Sequence, residues 1–217
     1  MTRHKLSLLT VSLFAFIFLT SVSYAGPGCC GKAADQAEDE NAKRAKEAPQ
    51  FTLTAHDGNE VSLSDLDGKI VVLEWFNYDC PFVKAHYDSA STMIDLANKY
   101  ADKDVVWLAI NSTNYATGND NKAFADAHSL PYLILDDHTG TVGRAYGAEH
   151  TPEIFIIDKT GVIAYHGAID NAPLGRLNEG ETEKINYADK ALSEMTTGKE
   201  VITPKTKPYG CTVKYAK

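Results

Sequence analysis

The sequence predicts an α/β domain with a central mixed sheet flanked by helices, and three observations carry that reading. Ile70 to Phe76 is a mostly continuous apolar run, the signature of a strand covered on both faces, and from Pro81 apolar residues recur at helical spacing. Two more strand-like runs, Val105 to Ile110 and Tyr132 to Leu135, continue a β-α-β-α-β alternation, which implies parallel pairing with right-handed crossovers. Ile154-Phe155-Ile156-Ile157 and Val162 to His166 then flank Asp158-Lys159-Thr160-Gly161, an antiparallel hairpin that makes the sheet mixed.

In chain order, Phe51-Thr52-Leu53-Thr54 alternates like a strand, Asp57-Gly58 turns, and Val61 to Leu63 resumes it before a short helical turn at Ser64 to Asp67. After the Ile70 strand, Phe82, Val83, His86, Tyr87, Ala90, Met93, Ile94, Ala97 and Tyr100 predict one long helix, with Pro81 in the favoured first helical position. A short helix is expected at Asn121 to Ala127 and a closing one over Ile185 to Met195, stopped at Gly198. Trp75 and Trp107 alternate with aliphatic residues and read as core. The domain is therefore set at 51–200, and 201–217 is an irregular or strand-like C-terminal extension carrying Cys211.

The flanks and the composition limit the function classes. With 44% hydrophobic and 23% charged residues, the chain is neither disordered, collagen-like nor multi-spanning. A net charge of −8 argues against nucleic acid as a partner, because phosphates would be repelled. Arg3, His4 and Lys5, the apolar Leu6 to Val22 and the small-residue Ser23-Tyr24-Ala25 make 1–25 a signal peptide, so a periplasmic or secreted protein without stable membrane insertion is expected after cleavage. An uncleaved anchor is the rival reading, although the run is short of the ~20 residues of a span. Residues 26–50 read as a charged, flexible linker; its Cys29-Cys30 is either an exposed non-catalytic dithiol or a pair for a soft metal or another chain. Export places thiols where they can be oxidised.

Cys80 is the centre of the chemistry. It stands at a strand-to-helix junction immediately before Pro81, where unpaired backbone N–H groups and the helix dipole favour a thiolate. Lys84 in the first turn pushes the same way and Asp79 opposes it.

Trp75 to Tyr87 (WFNYDCPFVKAHY), Thr151-Pro152 ahead of a hairpin and Pro208-Tyr209-Gly210-Cys211 near the end together resemble the thioredoxin superfamily, specifically its peroxiredoxin-like, AhpC/TSA-like redoxin members. The resemblance covers about Phe51 to Tyr215 and implies a thioredoxin-like fold and a thiol redox role. Cys80-Pro81-Phe82-Val83 keeps only the first cysteine of the thioredoxin Cys-x-x-Cys, which rules out a simple dithiol cycle within that motif. The peroxiredoxin Pro-x-x-x-Thr-x-x-Cys is answered by Leu73 and Asn77, Pro152 stands where the peroxide-holding arginine is expected, and Arg176 resembles a secondary arginine. On the thioredoxin side, Pro152 resembles a cis-proline facing the reactive thiol, with the backbone of Thr151 offered to an extended substrate.

The resemblance thus implies Cys80 as nucleophile and Cys211 as candidate resolving thiol, with Thr151, Pro152 and Asn77 as substrate-binding candidates and Pro81 and Lys84 tuning the thiol. A bond between the two cysteines would close a loop worth about 4 to 5 kcal/mol in the chain-entropy account. The expected partners are a protein disulfide, a small thiol or a peroxide, with an unidentified thiol reductant, and neither cofactor nor metal is expected. A copper site on Cys80 and His86 resembles that of thioredoxin-fold copper chaperones, but Lys84 stands where their second cysteine belongs. His150, beside Thr151, reads either as a proton acceptor for Cys80 or as a solvated loop residue. The rival class is a non-catalytic thioredoxin-fold binding module or copper-handling protein.

Overall fold

A computed structural model describes residues 46–177 and 179–217. The predicted signal peptide, Cys29-Cys30 and most of the predicted linker lie outside the described residues.

Strands β1 (Thr52–Ala55), β2 (Glu60–Ser62), β3 (Ile70–Trp75), β4 (Val105–Asn111), β5 (Leu133–Asp136), β7 (Glu153–Ile157) and β8 (Ile163–Gly167) form one sheet in the order β2-β1-β5-β4-β3-β7-β8. β3, β4 and β5 run parallel, whereas β7 is antiparallel to β3, β8 to β7, and β1 to both β2 and β5. The helices are α1 (Pro81–Lys84), α2 (Thr92–Tyr100), α3 (Gly118–His128), α4 (Thr141–Tyr146) and α5 (Tyr187–Thr196). Strand β6 (His150–Thr151) stands apart and pairs with β9 (Cys211–Thr212).

All six residues of β3 are buried, because its alternate side chains enter two different cores. Ile70, Val72 and the following Phe76 pack on one face with Tyr100, Trp107, Ile134, Ile156 and Leu192. Val71, Leu73 and Trp75 pack on the other with Leu108, Ile110, Tyr146 and Phe155. At about 25 cal/mol per Å² of apolar surface removed from water, this double burial holds β3 firmly, as it does β7, whose five residues are likewise all buried.

The long helix predicted from Pro81 to Tyr100 is broken. After α1 the chain makes a π turn over Ala85–Ser89, leaves helical geometry at Ala90, and takes the left-handed conformation at Ser91 (φ 46°) before α2 starts. The wide turn brings both His86 and Tyr87 inward, at 2% and 4% exposure. Helix α4 lies in a stretch with no sequence signal for it.

Hydrogen bonds tie both flanks of the sheet into the fold. The fold begins before Phe51: Ala48 N–H donates to Gly161 O (2.9 Å), Ile163 N–H to Lys46 O (3.0 Å), and Tyr146 OH to Pro49 O (2.9 Å). Residues 46–50, read as linker, are thus part of it. The extension from 201 likewise lies against the domain, since Thr206 N–H donates to His166 O (3.1 Å) and Val213 N–H to Glu149 O (3.0 Å).

Candidate active site

The loop leaving β3 is shaped by its own polar groups. Asn77 Oδ1 accepts the Asp79 N–H (2.8 Å), and the Asn77 carbonyl accepts the Cys80 N–H (3.0 Å). Cys80 then stands in extended geometry (φ −72°, ψ 122°) as the residue capping α1, with Pro81 first in the helix. Asn77, read as a substrate-binding candidate, is 3% exposed and turns its side-chain oxygen into the loop, so its observed work is to set the turn. Pro81 and Lys84 are exposed, and Lys84 meets the cysteine through its backbone N–H on Cys80 O (2.9 Å).

Cys80 is 2% exposed, and its thiol donates to the carbonyl of Thr151 (3.0 Å). The Thr151–Pro152 peptide is cis. On the same short strand Thr151 lies directly opposite Cys211, so one residue joins the two cysteines across 71 and 60 positions of sequence. Both thiols are free.

The two thiols are driven apart in acidity. Burial pushes Cys80 up, but the side chains of Thr151 and Cys211 and the backbone groups of Val83 and Cys211 favour its thiolate, and its pKa is lowered. Thr151 supplies two opposed groups. Its carbonyl holds the thiol proton, while its buried hydroxyl, with no other hydrogen-bond partner among the described residues, is free to turn toward the thiolate. Burial and the neighbouring Cys80 push Cys211 up to about 11. Of the two, Cys80 is thus the thiol more readily ionised, and thiolate character is what makes a cysteine nucleophilic.

Three polar clusters, each centred on a buried carboxylate, were missed by the sequence reading. Glu74, fully buried in β3, accepts from Tyr87 OH (2.8 and 2.9 Å) and Trp107 Nε1 (3.2 Å), and burial raises its pKa to about 7 despite those bonds. One carboxylate inside the apolar run from Ile70 to Phe76 was the available signal.

The second cluster ties the tail to the π turn. Tyr209 OH donates to Asp170 Oδ1 (2.6 Å), so the 2.8 Å contact with His86 Nε2 makes that nitrogen the donor and leaves Nδ1 to accept from Thr92 Oγ1 (3.2 Å). Lys184 pairs with the other Asp170 oxygen (3.0 Å). His86 is thereby used in packing, and burial lowers its pKa.

In the third, Glu153 beside Pro152 accepts the N–H groups of Glu149 and His150 (both 2.8 Å) and bonds His166 Nε2 (2.5 Å). Burial opposes ionisation of Glu153, but these bonds hold its pKa low, and the anion thus fixes the backbone ahead of Thr151. His150 is part-buried with its backbone in the β6–β9 pairing. Arg176 is exposed at the end of the turn Pro173–Gly175. Among the described residues no group of three or more His, Cys, Asp or Glu is arranged to hold a metal ion.

The chain is similar in sequence and in fold to several known proteins. The thiol-disulfide oxidoreductase ResA of Bacillus thuringiensis subsp. konkukian is 30% identical over 128 residues, covering 58% of this chain and 70% of ResA. The chloroplastic peroxiredoxin Q of Triticum aestivum is 30% identical over 144 residues, or 63% of each chain. The crystal structure of an uncharacterized conserved protein from Geobacillus kaustophilus superposes with a TM-score of 0.70 at 31% identity, over 79% of this chain and 92% of that one. The family model described as AhpC/TSA matches residues 45–166, a span that runs from the start of the described fold to β8 and takes in Cys80, Thr151 and Pro152. The chain therefore belongs to the AhpC/TSA redoxin family of the thioredoxin superfamily, with its fold.

Proposed function

We propose that this protein is a two-thiol reductase in which Cys80 attacks the oxidised substrate and Cys211 completes the reaction. The observation that carries it is the shared Thr151: its carbonyl accepts from the Cys80 thiol, and its strand pairing holds Cys211 directly opposite. Thiol redox chemistry is the common ground of the similar proteins, a thiol-disulfide oxidoreductase and a peroxiredoxin.

With a disulfide RS–SR′, the Cys80 thiolate forms a Cys80–SR bond and expels R′S⁻, which takes up a proton. Cys211, deprotonated as it attacks, then forms the Cys80–Cys211 bond and expels RS⁻. With a hydroperoxide, the thiolate takes the terminal oxygen to give the Cys80 sulfenic acid and an alcohol or water, and the Cys211 thiol condenses with it to release water. In both cases two electrons leave the cysteine pair, and an external dithiol returns them. The first 25 residues support export, which would put the pair in an oxidising compartment.

Non-reducing peptide mapping of the oxidised protein tests the scheme. A Cys80–Cys211 link is expected, whereas Cys211 found free, or joined to Cys29 or Cys30, would reject it. Cys80→Ser should abolish turnover. Cys211→Ser should accumulate mixed disulfide or over-oxidised Cys80. Labelling of Cys80 should follow a pKa below the ~8.5 of a free cysteine. Intact-mass measurement of the exported protein should show cleavage after Ala25, and a retained Met1 would remove the export reading.

A further inference from the structure

The contacts of the C-terminal segment, taken with the reading of Cys80 as nucleophile, bear on which substrates reach that thiol. Thr151 belongs to a two-residue strand outside the main sheet. Such an edge beside a reactive thiol is a template to which an extended polypeptide adds by backbone pairing. Here the protein's own tail fills it: His150 faces Thr212, Thr151 faces Cys211, and Val213 N–H donates to Glu149 O (3.0 Å).

The fit is built into the residues on both sides. A Cβ on Gly210, which has φ +128°, would fall on the Thr151 carbonyl, and one on Gly167 would fall on Thr206. A Cβ on Gly140 or Gly143 would collide with the ring of Tyr215. Tyr215 in turn donates to Ala148 O (2.7 Å) under the guanidinium of Arg144, 4.7 Å from the ring centre. Asn114 holds the strand between them, its N–H on Lys214 O and its side-chain amide on Tyr215 O (both 2.8 Å). Upstream, Tyr209 is pinned by Asp170 and His86. The segment is thus anchored before, at and after Cys211, with Cys80 only 2% exposed.

We propose that the strap Tyr209–Tyr215 restricts Cys80 to small oxidants, hydroperoxides or low-molecular-weight disulfides, and excludes extended polypeptides, whose backbone would need the Thr151 edge that β9 already occupies. A compact oxidant reacts without breaking the pairing and leaves Cys211 in place for the second step. A polypeptide must first displace the strap, and with it Cys211.

The test uses the full chain with Cys29→Ser, Cys30→Ser and Cys211→Ser, which leaves Cys80 as the one thiol. Its alkylation rates by N-ethylmaleimide and by a maleimide carried on a polyethylene glycol chain are compared, since the two share one chemistry and differ in bulk. Adding Gly210→Ala should raise the bulky-to-small rate ratio at least roughly tenfold, the equivalent of about 1.4 kcal/mol of lost seating. Tyr215→Ala, which removes a half-buried anchor near the chain end, should raise it in the same direction and carries the test if Gly210→Ala does not fold. An unchanged ratio, or equal acceleration of both reagents, would overturn the size filter while leaving Cys80 a nucleophile. Labelling by neither reagent in any variant would overturn the nucleophile reading, and the filter with it.

Discussion

Strand β3 and the segment from Val201 to Lys217 both deliver a cysteine to Thr151, but they are held in opposite ways. Every residue of β3 is buried, whereas no residue of 201–217 is. β3 is fixed by apolar contact on two faces, a cooperative force that is lost only when the domain unfolds. The tail is fixed by separate contacts: a tyrosine on a carboxylate, a cation over a ring, and backbone bonds to single strands. Such contacts contribute about 1 kcal/mol each and open locally. A nucleophile gains from a rigid mount with a constant environment. In the two-thiol scheme proposed above, the second thiol must approach and withdraw, and separate contacts of this kind let the tail do so.

Substitutions separate the two regions. Leu73→Ala, at a site with no exposure, should cost about 2 to 5 kcal/mol of global stability, read by chemical denaturation. The same loss from any single tail substitution would erase the distinction.

Glu74→Gln sharpens the β3 side. The pKa of Glu74 is raised from 4.5 to about 7 in the folded protein, so folding favours its protonated form. That stabilisation is complete below about pH 4.5 and is lost as pH rises through about 7, a swing of roughly 3 kcal/mol. Gln keeps a donor and an acceptor without the charge, so the variant should lack this part of the pH dependence and gain on the wild type above pH 7. Denaturation midpoints that track the wild type at every pH would remove Glu74 as its source.

Tyr209→Phe should release the tail by about 2 kcal/mol, since Asp170 and His86 each lose a partner. Hydrogen exchange at the Val213 amide should accelerate while the amides of β3 keep their protection. Arg144→Ala should act on the same amide by less than about 1 kcal/mol, as expected for an exposed cation over a ring. Faster exchange in β3 with either variant would show that the tail and the sheet open as one unit.

The sheet was legible in the sequence because its signals are local and repeated. The run from Ile70 to Phe76, the hairpin around Asp158-Lys159-Thr160-Gly161 and the Cys80-Pro81 junction each occupy consecutive residues. The β6–β9 pair was not legible, because two residues at 150–151 meeting two at 211–212 leave no periodicity. Helix α4 was hidden by Gly140, Gly143 and Gly147, which weaken any helical signal. Gly140 and Gly143 have their use in a contact with Tyr215 that no local pattern reveals. Glu74 and Asp170 escaped for a related reason. Their bonding groups, Tyr87, Trp107, Tyr209 and Lys184, are assembled from distant parts of the chain.

The π turn at Ala85–Ser89 also has a consequence for the length of the chain. A π turn accommodates one residue more than the α-helical turn it replaces, and that surplus orients His86 toward Tyr209. Deleting Ala85, ahead of His86, would rotate the side chains that follow by about 100° around the axis. His86 and Tyr87 would then no longer point inward together, and the tail would lose its upstream anchor with its own sequence intact. The seat of Cys211 is therefore sensitive to a length change 122 or more positions away, in a helix with which it shares no strand.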